Sequence, residues 1–587
     1  MTRIAIVERE KCSPNSCDYL CFKLCPVNRT KQDCIIKKNK IEINEGLCTG
    51  CSICSNRCPF EAIQIVNLPE KLKEDPIHRY GKNQFELFQL PVIKKNKITG
   101  IIGRNGIGKS TALQILSNNI KPNLSNFEKQ PTDKEIIEKY STTYLAEYFK
   151  NLFENNIKVS YKPQRVELLT NLYKNKKVIE LIKKIDERKQ GEKLLKELDL
   201  EHLKNRNINE LSGGELQRLA IIAACIKKAD IYYFDEPTSF LDITHRIKVA
   251  NIIKALAKES SIIVVEHDLA TLDYISDEIQ IIYGQPAAYG IISQPKTVRR
   301  GINEYLDGFL PEDNVRFRNY SIIFQESPKE REKSKDILLS FPELEKSYKD
   351  FKINTKKGDI YKKEVLCIMG ANGLGKTTFL KLLAGIEKPD KGKIEKTSIA
   401  YKPQYLEILK GTVLENLQKI AKDKFNSGWF KQNILEKLGL NRILNQETKN
   451  LSGGELQKLH IALTLSKDAK ILAFDEPSAF IDVEDRLKVA EIIKDFIEKQ
   501  EICAIVVDHD IQFIDYLADS MLVFEGTPAK QGKVNEPCSK RIGMNKILKE
   551  LNITYRKDKE TNRPRINKPN SQLDITQKKK GEYYYSS

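Results

Sequence analysis

Apolar positions along this chain come in short runs, each closed by a polar turn. Two such runs end before Gly103 and Gly370. Each is followed by a glycine-rich turn and then by helical spacing, ALQILSNNI (112–120) and FLKLLAGI (379–386). That order predicts strand, loop and helix. Two further runs end at Asp235 and Asp475, and two more stop just before His267 and His509, again as strands. HRYGKNQFELFQLP (78–91) alternates and predicts strands entering the first body. TDKEIIEKYSTTYLAEYFKNLFENN (132–156) spaces Ile, Tyr, Leu and Phe as helices do, predicting a two-helix surface insertion whose rings favour a contact role. No run approaches about 18 uncharged apolar residues, so no membrane span is expected. MTRIAIVEREK lacks the apolar core of a secretory signal, which points to a cytoplasmic protein.

The pattern occurs twice, motif for motif. GRNGIGKST (103–111) recurs as GANGLGKTT (370–378), and LSGGELQR (211–218) as LSGGELQK (451–458). YYFDEPTSFLD (232–242) recurs as LAFDEPSAFID (472–482), and VVEHD (264–268) as VVDHD (506–510). Lys109 and Lys376 lie 267 residues apart but Ser212 and Ser452 only 240, so the first copy holds 27 more residues between these motifs. Most of the excess precedes the YKPQ element, where the helical insertion lies.

In G-x4-G-K-[ST], backbone N–H groups wrap phosphates and glycine permits the close approach. Gly103, Asn105, Gly106, Gly108 and Thr111 belong to the first loop. Gly370, Asn372, Gly373, Gly375 and Thr378 belong to the second. Lys109 and Lys376 are expected to neutralise the outer phosphates of ATP. Ser110 and Thr377 would place hydroxyls on Mg²⁺, with Asp235 and Asp475 completing the metal shell. Glu236 and Glu476 follow directly and are positioned to orient the attacking water. His267 and His509, repeated after the acidic pair, point to phosphate sensing. Tyr80 and Phe85 are candidates for adenine stacking, with core packing the alternative for either ring.

Thirteen cysteines occur, nine of them between Cys12 and Cys58. Cys12, Cys17, Cys21 and Cys25 form one group, closed by Pro26. Cys48, Cys51, Cys54 and Cys58, closed by Pro59, follow the bacterial ferredoxin spacing, in which the fourth cysteine serves the other cluster. Two [4Fe–4S] clusters are therefore expected, one on Cys12, Cys17, Cys21 and Cys58, the other on Cys48, Cys51, Cys54 and Cys25. Cys34 is left over as a structural residue. Two zinc sites are the competing reading, disfavoured by the Cys-Pro endings. No flavin, haem or nicotinamide motif accompanies the cysteines, so a structural or docking role stands beside electron transfer.

The net charge of +18 favours a polyanionic partner such as nucleic acid, although a lysine-rich composition from AT-rich coding gives the same excess. Salt-dependent binding separates the two. TVRRGINEYLDGFLPEDNVRFR (297–318) and SKRIGMNKILKELNITYRKDKETNRPRINK (539–568) share an R-x-G-[IM]-N start and follow the two cassettes as paired hinges. Arg299, Arg300, Arg316, Arg318, Arg541, Arg556, Arg563 and Arg565 are candidate hinge or RNA-facing residues. The last residues, QKKKGEYYYSS, read as a mobile polar tail.

The twinned LSGGE, Asp-Glu-Pro and histidine motifs resemble ATP-binding-cassette ATPases. In that family the LSGG segment opens a helix that caps ATP held by the opposite cassette, as a helix N-terminus attracts anions. The resemblance pairs Lys109, Ser110, Gln164, Asp235, Glu236 and His267 with Ser452, Gly453 and Gly454. It pairs Lys376, Thr377, Gln404, Asp475, Glu476 and His509 with Ser212, Gly213 and Gly214. The whole layout is similar to subfamily E, the ribosome-recycling or ribonuclease L inhibitor family, including HRYGKNQF, the eight cysteines, GINEYLDGFLPEDNVRFR and RPRINK. The fold implied is α/β: two tandem cassettes behind an N-terminal ferredoxin-like α+β iron–sulfur domain. The expected boundaries are 1–75 for the iron–sulfur domain and 76–292 for the first cassette, with its insertion near 131–156. Hinge 1 takes 293–320, the second cassette 321–530, and hinge 2 with the tail 531–587. The resemblance implies a monomer that splits ribosomes after termination or stalling. It would work with the small subunit and its rRNA, beside a release factor or Pelota-type factor, and take part in initiation with initiation factors. ATP-driven closure would swing the iron–sulfur domain as a lever. The rivals are a transporter's ATPase subunit, an ATP-coupled redox protein, and a nuclease inhibitor without turnover.

Overall fold

The computed structural model describes residues 3–67, 75–126, 128–324, 336–395 and 397–585. It divides into two compact units. The first takes 1–237, 252–267 and 275–320; the second takes 238–251, 268–274 and 321–587. Two pieces of the first cassette's chain belong to the second unit, where Arg246 pairs with Asp268 at 2.7 Å and Arg565 grips Asp273 at 2.8 Å. The expected boundary at 75 adjoins residues outside those described.

In the first unit the iron–sulfur module is a small sheet with short helices. Arg3–Val7 pairs antiparallel with Ile63–Asn67, and Ile35–Ile36 with Glu42–Ile43. Helices Pro14–Cys17, Leu20–Leu24, Pro26–Arg29 and Ile53–Arg57 carry or flank most of the cysteines. Left-handed Asp18, Tyr19 and Ser52 turn the chain back between them, which is how thiols spaced three or four apart come to face a common space. The module's apolar core is slight, built around Ala5, Val7, Ile35, Ile41, Ile43 and Ile63.

Each cassette is built on one large mixed sheet with the same strand order. In the first, Ile98–Ile102, Ser261–Val265, Ile231–Asp235 and Val159–Lys162 run parallel and adjacent. In the second, Val365–Met369, Cys503–Val507, Ile471–Asp475 and Ile399–Lys402 repeat them. Three strands of each set are buried along their whole length. This explains their continuous apolar runs, since parallel sheets are covered on both faces.

The insertion forms helices Asp133–Lys139 and Tyr144–Phe153, the first opened by a Thr132–Glu135 capping box. Its rings are not a contact surface as expected. Tyr140, Tyr148 and Phe149 are buried in the core, where the Tyr148 hydroxyl meets that of Tyr233 at 2.7 Å, and of the tyrosines only Tyr144 is exposed. The hinge helices Val298–Asp307 and Lys540–Glu550 lie against the last sheet strands. A Cβ on Gly301 would stand 2.8 Å from that of Ile279, and one on Gly543 2.7 Å from that of Met521. The glycine shared by the two hinge starts is thus a close-approach residue. The tail, expected to be mobile, is packed as far as it is described. Gln572–Lys580 is helical, Tyr584 is buried with its hydroxyl on Asp515, and Asn545 accepts from the Tyr583 and Tyr584 N–H groups.

Candidate functional site: two nucleotide sites and a thiol-lined module

In the first cassette the phosphate loop joins Ile98–Ile102 to helix Lys109–Leu116. Gly106 and Gly108 take φ of 75° and 92°, a region costly for other residues. The Lys109 ammonium donates to the carbonyls of Gly103 (2.9 Å) and Arg104 (2.6 Å). Ser110 hydrogen-bonds Asp235, whose carboxyl burial pushes up to about 6. Glu236 follows at φ 46°, strain of the kind found at functional positions. Gln164 donates to Glu236 Oε1 (2.7 Å), and His267 Nε2 lies 3.2 Å from the same oxygen.

The second cassette rebuilds the set. Lys376 donates to Gly370 O (2.9 Å) and Ala371 O (2.7 Å), and the Thr377 hydroxyl to Asp475 (2.7 Å). Gln404 donates to Glu476 Oε1 (2.7 Å), while His509 Nε2 stands 3.7 Å away. Glu476 also takes left-handed φ, at 48°. Burial, helped by the charges of Asp475 and Asp508, pushes its carboxyl to about 7. Burial likewise raises Asp475 and drives His509 well below the usual imidazole range.

Both signature segments open helices, Gly213–Cys225 and Gly453–Ser466. Each has a serine cap, Ser212 or Ser452, closed by Glu215 or Glu455. Nothing stands within 4 Å of where a Gly213 Cβ would lie. Packing among the described residues therefore does not explain that glycine.

Tyr80 is half exposed, with its hydroxyl 3.1 Å from that of Thr111. Phe85 is half-buried and takes the core-packing alternative. Its ring packs beneath the phosphate loop, where a Gly108 Cβ would lie 2.6 Å from it. The second cassette repeats the pair, with Tyr348 exposed and stacked on Phe351, which lies under Gly375. Sequence reasoning missed Tyr348, although a second Tyr followed by Phe ahead of the second phosphate loop was a usable signal. It also missed Lys162 and Lys402 of the repeated YKPQ. Each donates at 2.8 Å to the carbonyl of its strand-end aspartate, and burial lowers each to about 8. Asp242 was missed too; its carboxylate accepts from the Asn372 N–H at 2.7 Å.

None of the thirteen cysteines is in a disulfide. Cys12, Cys17, Cys21 and Cys58 are electrostatic neighbours, as are Cys25, Cys48, Cys51 and Cys54. Structural zinc needs four donors within about 2.0–2.3 Å of one point. Among the described residues no group of three or more His, Cys, Asp or Glu side chains is placed to hold a single metal ion.

The module is held by the loop that carries Tyr80. Asn83, buried and left-handed, accepts from the Ile43 N–H (2.8 Å) and donates to its carbonyl (3.0 Å). Arg79 clamps Glu45 at 2.8 Å, and the Val7 N–H donates to Asn83 O. Of the arginines expected as hinge or RNA-facing residues, three are internal. Arg563 is fully buried, Arg565 pairs with Asp273 and Asp558, and Arg318 donates to the Tyr305 and Leu306 carbonyls. Arg300 pairs with Glu304 and Glu312, Arg541 with Glu582, and Arg316 lies over Phe309. Arg299 is exposed and Arg556 half-buried.

Duplicated phosphate loops, strand-end Asp-Glu pairs and serine-capped signature helices define an ATP-binding-cassette ATPase, here with an iron–sulfur module in front. The ABC transporter family model matches residues 92–239 and 353–479. A model described as a possible Fer4-like domain in RNase L inhibitor matches 2–33, and the 4Fe-4S binding domain matches 41–64. An uncharacterized ABC transporter ATP-binding protein of Methanocaldococcus jannaschii is 48% identical over 99% of this chain and 97% of its own. Translation initiation factor RLI1 of Saccharomyces cerevisiae is 42% identical over 100% and 98%. A chain from a structure titled as a model of ribosome-bound archaeal Pelota and ABCE1 superposes at TM-score 0.93, 47% identical over 100% and 99%. The chain belongs to the RNase L inhibitor family, subfamily E of the ATP-binding-cassette proteins. No described helix is long and apolar enough to cross a membrane.

Proposed function

We propose that this chain is an Mg²⁺-dependent ATP hydrolase that separates ribosomal subunits after termination or stalling, and that it also serves initiation. Relatives of near-equal length named as a translation initiation factor, or solved with Pelota on a ribosome, support that reading. Water splits ATP into ADP and phosphate. Lys109 and Lys376 hold the outer phosphates. Ser110 with Asp235, and Thr377 with Asp475, hold Mg²⁺, whose charge steadies the phosphate oxygens. Glu236 and Glu476 orient the water, each braced by a glutamine and faced by a histidine. Ser212–Gly214 and Ser452–Gly454 offer N–H groups to the nucleotide of the other cassette.

Two [4Fe–4S] clusters fit the two thiol groups, and their metal–thiolate bonds would brace a module with little apolar core. The observation that carries the mechanical part is the Asn83 hold on Ile43. The loop that presents Tyr80 to adenine is bonded to the iron–sulfur module, so nucleotide arrival at the first site reaches that module directly. The small ribosomal subunit with its rRNA, and a release or Pelota-type factor, are the partners.

The test is a sucrose gradient of ribosomes mixed with this protein, a Pelota-type factor and ATP. Free subunits are expected with ATP and not without nucleotide. Intact ribosomes under all conditions would reject the reading.

A further inference from the structure

The repeated YKPQ element places a lysine, Lys162 or Lys402, two residues before the glutamine that braces the water-orienting glutamate. Both lysines are 1% exposed, a burial that lysine tolerates only when its ammonium is fully engaged. Each ends a strand that runs beside the one delivering the Asp-Glu pair, in register with Phe234 or Phe474. The proline that follows has no N–H with which to extend the ladder. The ammonium reaches the next two carbonyls instead. Lys162 donates to Asp235 O at 2.8 Å and to Glu236 O at 3.0 Å. Lys402 donates to Asp475 O at 2.8 Å and to Glu476 O at 3.2 Å.

A second buried donor meets the same glutamate carbonyl. Gln217 and Gln457 lie on the signature helices and are fully buried. Their amides donate to Glu236 O at 2.8 Å and to Glu476 O at 2.7 Å. The glutamate N–H is bonded too, to Val265 O at 2.9 Å or Val507 O at 2.8 Å. Satisfying one buried carbonyl needs one donor, and here two long side chains from different elements converge on it. What they hold is a left-handed glutamate, at φ 46° and 48°, a conformation that persists only where the surroundings impose it. The same bonds occur in both cassettes although the loops ahead of the phosphate sites and the hinges differ. The brace therefore goes with the glutamate and not with either cassette's attachments.

We propose that Lys162 and Lys402 are positioning residues for ATP hydrolysis. With Gln217 and Gln457 they hold the strained backbone that aims each glutamate at the attacking water. This rests on the reading of Glu236 and Glu476 as the water-orienting groups. The lysines act through the glutamate, so they govern the rate of the step and leave ATP binding to Lys109 and Lys376.

The experiment compares the full-length protein with Lys162→Met/Lys402→Met, which keeps an apolar stem and removes the donors. A second series, Gln217→Leu/Gln457→Leu, removes the other donor to the same carbonyl. Phosphate release at saturating ATP and equilibrium ATP binding are measured for each, with thermal unfolding as the check on folding. Displacing a catalytic group by about 1 Å costs about 100-fold, so kcat should fall by about 10- to 100-fold with ATP affinity unchanged. Placed on Glu236→Gln/Glu476→Gln, the lysine substitutions should lower the residual rate no further, because the group they position is already gone. An unchanged kcat in both series would overturn the proposal. So would a parallel loss of kcat and ATP affinity, or a further fall on the glutamine background, since either means that the lysines support the site at large. Wild-type turnover by Glu236→Gln/Glu476→Gln itself would instead overturn the reading of the glutamates, and the brace with it.

Discussion

The two cassettes share their chemistry and differ in their attachments. Lysine, hydroxyl, aspartate, glutamate and glutamine recur with nearly identical distances. Around them, little is repeated. Between Tyr80 and Phe85 the first cassette inserts Asn83, which holds the iron–sulfur module; between Tyr348 and Phe351 the second has only Lys349 and Asp350. Hinge 1 seats Arg318 on backbone carbonyls, whereas hinge 2 buries Arg563 and Arg565 against Asp273 and Asp558. The nucleotide-site set is thus repeated while its surroundings differ: the first site adjoins the cysteine module through Asn83, and the second unit holds the hinge 2 arginines.

The comparison breaks most visibly if the two glutamates are not equivalent parts of one engine. Removing a positioned proton-handling group costs about 10²–10⁴-fold. Glu236→Gln/Glu476→Gln should therefore lower steady-state phosphate release by at least about 100-fold with ATP still bound. Turnover above a tenth of wild type would place the water-orienting group elsewhere.

The contrast between the hinges predicts a difference in stability. Arg565→Ala leaves Asp273, only 3% exposed, short of its bidentate partner. Breaking a buried pair costs about 3–5 kcal/mol, and Arg563 nearby should keep the loss near the lower figure. Urea unfolding should show it, and Asp273→Asn should add little on top of Arg565→Ala. Additive losses would mean the two side chains act separately.

Asn83→Ala sharpens the asymmetry at the other end. It strands the Ile43 N–H and carbonyl, worth about 1–3 kcal/mol, and should loosen the module without lowering ATP affinity at the second site. Hydrogen exchange at Ile43 should rise. Ribosome splitting should fall more than phosphate release. An equal fall in both would show that Asn83 is only structural.

What the sequence made legible follows from what each contact needs. Phosphate binding uses backbone N–H groups in a tight loop, so it forces glycine and lysine at fixed spacing. The catalytic strands are buried on both faces and must be apolar throughout. Both signals are local, and both were readable. Asn83 to Ile43 and Asp242 to Asn372 join residues far apart in the chain, and an ordinary Asn or Asp carries no mark of it. The interior place of the hinge arginines was hidden for a related reason. Charge suggests solvent or RNA, but Asp273 and Asp558 neutralise them inside. The tail misled because three tyrosines among lysines look polar until Asp515 and Asn545 are found waiting.

The smallest effect follows from one position, Glu86 in the first cassette and Lys352 in the second, each directly after the half-buried phenylalanine. Lys352 is half exposed and pairs with Glu345. Glu86 is 4% exposed. Burial raises its carboxyl from the usual 4.5 to about 7, against the pull of Arg79 at 2.8 Å and with help from Glu45 and Asp75. A folded-state value above the unfolded one means the native protein holds this proton more tightly. The associated stability is fully present below about 4.5 and is lost as pH rises through about 7. Glu86→Gln mimics the protonated form. It should raise the thermal midpoint of the first unit at pH 8, and the gain should shrink towards zero as the pH falls to 5. Lys352→Gln should show no such slope. A Glu86→Gln difference that is constant from pH 5 to 8 would mean the carboxyl is charged throughout, held so by Arg79, and the first cassette would then lack a proton-linked step that the second also lacks.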